Sequence, residues 1–170
     1  YFGQTFGGDL AFTKLSLKTE YIINHLNNHR TEFALEGNLA FGDVPLTHSF
    51  HAFPNAPNKS TILDRFSVAG VKSFETMFFS EFFSTRLASL HMKHRLAPFK
   101  ITNKIQPEMV LISRHAIGDF TNQDRHLGID FNTLDKGYSE AGLELNKIFW
   151  GFGLSFAYRY GAYHLPKFED

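Results

Sequence analysis

The side chains with the widest chemical reach in this sequence are nine histidines, and they stand without a single cysteine. Thiolate metal sites and disulfides are therefore excluded. A histidine metal site needs several imidazoles converging on one ion. His91 and His94 are three apart, so on a strand they point to opposite faces and cannot share one. His48 and His51 could share an ion only if the segment that carries them folds back. The other option is a nucleophile with its base. Ser89 and His91 are two apart and share one strand face, as a serine and a general base would. That face also carries Lys93 and Arg95, and no carboxylate is identifiable as a third partner. A pair acting on lipid belongs on the opposite face, among apolar groups. The opening FGQTFGGD has its glycines at the wrong spacing for a phosphate loop. No catalytic residue, metal or cofactor is expected.

The charges read more simply as partners for one another. Arg86, Lys93, Arg95 and Arg159 stand against Glu32, Glu36, Glu140 and Glu144, as ion pairs on the polar faces of strands. Seventeen basic and seventeen acidic residues balance. A neutral chain has no field to draw nucleic acid, so nucleic acid is not an expected partner.

These residues need elements to hold them, and the elements are strands. In RTEFALEGNLAFG, Phe33, Leu35, Gly37, Leu39 and Phe41 alternate with Glu32, Ala34, Glu36, Asn38 and Ala40. That is a period of two, with one greasy and one polar face. The same pattern runs from Leu10 to about Ile23, where Leu15, Leu17 and Tyr21 oppose Lys14, Lys18 and Glu20. It returns from about Phe82 to Leu96, with Ala88, Leu90 and Met92 opposite Ser89, His91, Lys93 and Arg95. Between Ile105 and Ile117 both faces are partly apolar and neither can be assigned. YSEAGLELN sets Leu143 and Leu145 against Glu140 and Glu144. GFGLSFAYRYG sets Phe152, Leu154, Phe156, Tyr158 and Tyr160 against Ser155, Ala157 and Arg159.

Two regularities decide the fold class. These strands are long, where globular strands peak near ~5–6 residues. Their connections alternate: short at 25–29, long at 43–77, short at 97–103, long at 118–137 and short at 147–149. Outer-membrane barrels alternate short periplasmic turns with long extracellular loops. The expected fold is all-β: one domain over residues 1–170, the C-terminal segment of an antiparallel transmembrane β-barrel, with about six to eight strands. The alternative is a soluble barrel of the lipocalin kind, with the greasy faces turned inward. In the membrane reading Phe33, Leu35, Leu39, Leu90, Met92, Leu143, Leu145, Leu154, Phe156 and Tyr158 face lipid. Glu32, Glu36, Lys93, Arg95, Glu140, Glu144 and Arg159 then face the lumen. Aromatic girdles are expected from Phe149 and Trp150 at the turn end and from Tyr158, Tyr160 and Tyr163 at the other. The loop at 43–77 mixes Phe50, Phe53, Ile62, Leu63, Phe66 and Val68 with polar residues, too apolar for a disordered tail. It is expected to order itself and at least partly occlude the lumen.

From about Phe74 onward, FETMFFSEFFSTRLASLHMKHRL, GYSEAGLELNKI, GFGLSFAYRYG and LPKFED carry a resemblance. With the strand before them they resemble the C-terminal barrel of Gram-negative, Bacteroidota-type surface proteins with an N-terminal carboxypeptidase-regulatory-like domain. That barrel is distantly similar to the BamA/TamA assembly superfamily. The resemblance implies an outer-membrane location and further strands and domains ahead of this chain. It implies lipid as surroundings and other outer-membrane or periplasmic proteins as partners. In that superfamily a lumen-inserted loop carries an Arg-Gly-aromatic element; here the nearest is Arg65-Phe66, without the glycine. The function expected is non-enzymatic, in outer-membrane protein assembly, translocation or surface-complex scaffolding. A passive or gated pore and a lipid-modifying barrel enzyme are the alternatives.

Overall fold

The computed structural model describes residues 10–56, 72–102, 105–149 and 152–165. The chain is all-β. Six strands form one antiparallel sheet: β1 (Phe12–Asn24), β2 (Arg30–Gly42), β5 (Arg86–Arg95), β6 (Glu108–Asp119), β7 (Leu134–Phe149) and β8 (Phe152–Gly161), in that spatial order. Two short strands, β3 (Pro54–Ala56) and β4 (Phe74–Phe78), pair in parallel apart from it.

Among the described residues the sheet does not close into a barrel, as a segment of one would not. β1 and β8 are the edges of an open sheet. Six long strands are fewer than the ~8 that the smallest transmembrane barrels need to close.

Several boundaries also move. The third long strand begins at Arg86 rather than Phe82 and stops before Leu96; the fourth runs three residues later at its start and two later at its end. The fifth takes in Leu134 to Phe149, so residues 147–149, expected as a turn, are strand. Its register shifts between Leu145 and Phe149, where Lys147 adopts a left-handed φ of 59°. The segment 43–77, expected as one irregular loop, holds a single helical turn at Leu46–His48, then β3, then most of β4. Arg65-Phe66, Ile62, Leu63, Val68 and Trp150 lie outside the described residues.

The register shows how the faces are built. One row across the sheet reads Tyr21, Phe33, Met92, Ser113, Ala141, Tyr158; the next along the strands reads Ile22, Glu32, Lys93, Ile112, Gly142, Ala157. Because strand side chains alternate, apolar rows and polar rows emerge on opposite sides. The hairpin between β1 and β2 is made by Asn27 and Asn28, whose φ of 61° and 62° suit a tight turn between twisted strands.

The segment after β2 crosses back over the polar side. Phe74, Met77 and Phe82 pack there with Leu87, Ala116, Leu134 and Tyr138. Phe12, Ala40 and Val44 make a smaller cluster, and Phe50 packs against both. The hydrophobic core thus lies between the returning segment and one face of the sheet, not inside a barrel.

β7 and β8 approach closely at two glycines, Gly142 and Gly153. A Cβ on Gly142 would stand 2.6 Å from the Phe156 carbonyl oxygen, whereas one on Gly37 would meet nothing within 4 Å. Gly142→Val is expected to cost about 1–3 kcal/mol by overpacking. Gly37→Ala is expected to be tolerated. Urea unfolding midpoints of the two variants check this; equal shifts would refute the β7–β8 packing.

Candidate functional site

The polar side of the sheet centres on Glu140 of β7. This carboxylate is wholly buried and collects four donors. The backbone N–H groups of Glu75 and Thr76 reach it at 3.1 and 2.7 Å, and the Thr76 hydroxyl donates at 2.6 Å. Arg114, facing it across the β6–β7 ladder, donates through Nη1 at 2.6 Å. The other arm of Arg114 reaches Glu75 at 3.0 Å, and Ser155 Oγ donates to the second oxygen of Glu75 at 2.6 Å. Since Thr76 spends its proton on Glu140, the Tyr138 hydroxyl donates to Thr76 at 2.8 Å. β4 is thus tied to β6, β7 and β8 at one point.

A second tie lies beside it. Arg159 holds Glu81 with both terminal nitrogens, at 3.1 and 2.7 Å, and Glu81 accepts the N–H of Phe78 at 3.0 Å. The guanidinium lies over the rings of Tyr138 and Phe82, 4.8 and 5.4 Å from their centroids. A planar cation suits this double use, forked hydrogen bonds at its edge and aromatic faces on its plane.

Toward the turn end the polar face is laced by strand-to-strand pairs. Lys93 meets Glu144 at 3.0 Å. Arg95 pairs with Glu108 and lies 3.6 Å from Glu32, while Lys147 reaches Glu108 at 2.9 Å. Glu36 takes Lys18 at 3.1 Å and the Asn38 amide at 2.7 Å. All seven acidic and basic residues proposed for the lumen side stand on this polar side, with the partners just given. Several of the charged groups that join them, Arg114, Glu75, Glu81, Lys18 and Glu108, were not foreseen. Arg86 corrects the sequence reading: it stands in the apolar rows, exposed, paired with Asp119 at the loop end of the sheet.

The Ser89–His91 pair is not assembled as a reactive centre. Both residues are buried on the polar side; the His91 ring packs 4.8 Å from Phe74, and its Nδ1 has no hydrogen-bond partner among the described residues. His48 stacks edge-on against Phe12 and His51 against Phe83, so they do not converge. Among the described residues no group of three metal-ligating side chains comes together. A cavity of about 540 Å³ does open between the crossing segment and β2, bounded by Glu36, Asn38, Ser49, His51 and Phe53.

The opposite side is bare. Leu15, Leu17, Leu35, Leu39, Leu90, Leu143, Leu154, Phe156 and Tyr158 are exposed there, with Phe156 at 77%; Phe33, Met92 and Leu145 are half-buried. In its middle sits a polar exception that sequence reasoning missed. Ser113 Oγ lies 2.9 Å from His115 Nε2, and His115 Nδ1 lies 3.0 Å from Ser139 Oγ. The signal was available, since Ser113 and His115 repeat the two-residue spacing of Ser89 and His91.

Comparisons with protein-family models, curated proteins and solved structures found no match.

Two outcomes are expected. Removing one member of a buried ion pair leaves its partner uncompensated, so Arg114→Met is expected to cost about 3–5 kcal/mol. Adding Glu140→Leu should recover part of that loss, and a double-mutant cycle on urea unfolding measures it; additive losses would refute the coupling. The second concerns His51. Desolvation against its surroundings lowers its pKa, opposed by a hydrogen bond to the Phe82 backbone and reinforced by Lys14. A lowered histidine pKa means the folded state resists the proton. The contribution is therefore full above the ordinary pKa of ~6.5 and fades as pH falls toward the depressed value. Amide exchange at residues 44–53 should rise on acidification from pH 7 to 5, and His51→Asn should flatten that rise.

Proposed function

We propose that this chain is part of the wall of an outer-membrane β-barrel whose interior is occupied by its own long loop. Its role is in outer-membrane protein assembly, translocation or surface-complex scaffolding. One observation carries the membrane part of this reading: the sheet covers its charged face and leaves its apolar face bare. A soluble barrel does the reverse. Soluble monomers rarely expose contiguous apolar patches beyond a few hundred Å², whereas an outer-membrane wall requires one.

The height of the bare face fits. On β5 the apolar positions Ala88, Leu90 and Met92 are bounded by Arg86 and His94. Eight residues at ~3.3 Å each span about 26 Å along the strand. Tilted at ~40°, that becomes roughly 20 Å, close to the ~25 Å apolar band of such barrels. A charged pair, Arg86–Asp119, stands at the loop end, where it escapes hydrocarbon.

The interior supports the scaffold over the pore. A pore needs a continuous wet passage beside the wall. Here the ties at Glu140 and Arg159 hold the crossing segment against that wall. The carboxypeptidase-regulatory-like and BamA/TamA resemblance of the sequence agrees with a barrel that engages other proteins.

The test is a set of arginine substitutions on β8. Leu154→Arg and Phe156→Arg place a charge on the bare face and are expected to cost ~2–4 kcal/mol of folding into lipid near the midplane. Ser155→Arg, beside Glu75 on the covered side, should cost much less. Folding of the full-length protein into phospholipid vesicles, followed by urea titration, gives the three values. Equal tolerance at the three positions, or a monodisperse detergent-free monomer, would overturn the membrane reading.

A further inference from the structure

Three histidines gather at the turn end of β1, β2 and β5. His25 and His29 flank the tight turn, and the His25 N–H donates to the His29 carbonyl at 2.9 Å, which holds the two residues side by side. Thr31 and His94 face each other across the β2–β5 ladder. Thr31 is buried, and two imidazoles meet at its hydroxyl: His25 Nε2 lies 2.7 Å from Oγ1 and His94 Nδ1 lies 2.9 Å from it. The His29 ring stacks on that of His94, with centroids 6.0 Å apart and planes within 10°. Its Nδ1 is shielded from solvent and has no hydrogen-bond partner among the described residues. A buried nitrogen left over in this way calls for a ligand or an ordered water.

The spacing suits a metal ion. Two imidazoles bound to one zinc, at ~2.0–2.1 Å and a tetrahedral angle, put their ring centroids roughly 5 Å apart. His25 and His94 stand at 5.9 Å, so a small inward swing of the rings closes the difference. His25 is exposed on its turn, which supplies both the freedom to swing and an entry path from solvent. The neighbouring cations are already answered. Arg30 and Arg95, next in sequence to His29 and His94, pair with Glu32 at 2.8 Å and with Glu108.

We infer that His25 and His94 bind one divalent transition-metal ion beside the Thr31 hydroxyl, of the zinc or copper kind that imidazole favours. Water completes the coordination, and the free Nδ1 of His29 accepts a hydrogen bond from it. The ion bridges the β1–β2 turn and β5 and clamps the sheet at this end. Sequence spacing hides the pair, because its members come from different strands and meet only through the β2–β5 register. The inference stands on local geometry and does not use the membrane reading.

The test is titration of the tag-free full-length protein in detergent, with Zn²⁺ by calorimetry and with Cu²⁺ by electron paramagnetic resonance. Expected is a site that excess Ca²⁺ or Mg²⁺ does not displace, and whose copper spectrum shows coupling to two imidazole nitrogens. His25→Gln and His94→Asn keep groups that can hydrogen-bond Thr31. Each is expected to weaken Zn²⁺ binding about a hundredfold or more, at or beyond the top of the range for an outer-shell change. His29→Phe keeps a ring beside His94 but loses the nitrogen, and is expected to weaken binding about tenfold. His126→Ala, in the separate cluster with Phe120 and Phe131, should bind as the parent does. Zn²⁺ should also slow amide exchange at residues 24–31 in the parent and not in His25→Gln. Circular dichroism of each variant reports strand content. A folded parent that takes up neither ion would overturn the site. So would undiminished binding in folded His25→Gln or His94→Asn, or a copper spectrum with a single imidazole.

Discussion

The buried carboxylate of Glu140 is the point on which the rest of the structure turns. An ionised carboxylate cannot sit in a dry interior unless its lone pairs are filled and its charge is met. Two backbone amides, one hydroxyl and one guanidinium do both. Those donors come from β4 and β6, so the need to satisfy one side chain on β7 brings three elements together. The returning segment is held less by its own short strand pairing, three residues against five, than by this demand. Arg159 and Glu81 repeat the logic one strand further on. Around both ties Phe74, Tyr138 and Phe82 exclude water, which strengthens every charge interaction they surround.

That arrangement settles how the two faces divide their work. The covered face carries the charges because neighbouring strands pair most of them and the crossing segment supplies partners for Glu140, Arg114 and Arg159. The bare face carries aliphatic and aromatic groups, and nothing among the described residues covers it. Arg86 and Asp119 mark the edge of this division: they face outward at the end of the strands, and each has the other as its counter-charge.

Much of this was legible in the residues. The alternation from Arg30 to Gly42 marks β2 at both ends, and GFGLSFAYRYG gives both faces of β8. β6 was opaque for a physical reason. A polar face that is covered by other protein can also hold apolar groups, so Val110 and Ile112 are buried on that side while Leu111 is exposed on the other. A two-period reading finds apolar residues on both faces and cannot choose. The same ambiguity hid Arg114, and with it the partner of Glu140. Leu134 was invisible as a strand residue because it pairs with Gly118 across a register shift, amid turn-forming neighbours. Arg86 was misplaced by charge alone, since its parity with Ala88 and Leu90 puts it outward. β3 and β4 are too short to leave a period at all.

The tie at Glu140 also works as a proofreader of strand assembly. A slip of one residue between β6 and β7 would turn Glu140 and Glu144 to the bare side and bring Ser139 and Ala141 beneath the crossing segment. No carboxylate of β7 would then meet Arg114 or the amides of Glu75 and Thr76. The crossing segment, 64 and 65 residues earlier in the chain than its anchor, can lock down only once β7 has joined in the correct alignment. Closure of the interior is therefore a report that the sheet was zipped in frame, written by the sheet itself in a single buried charge.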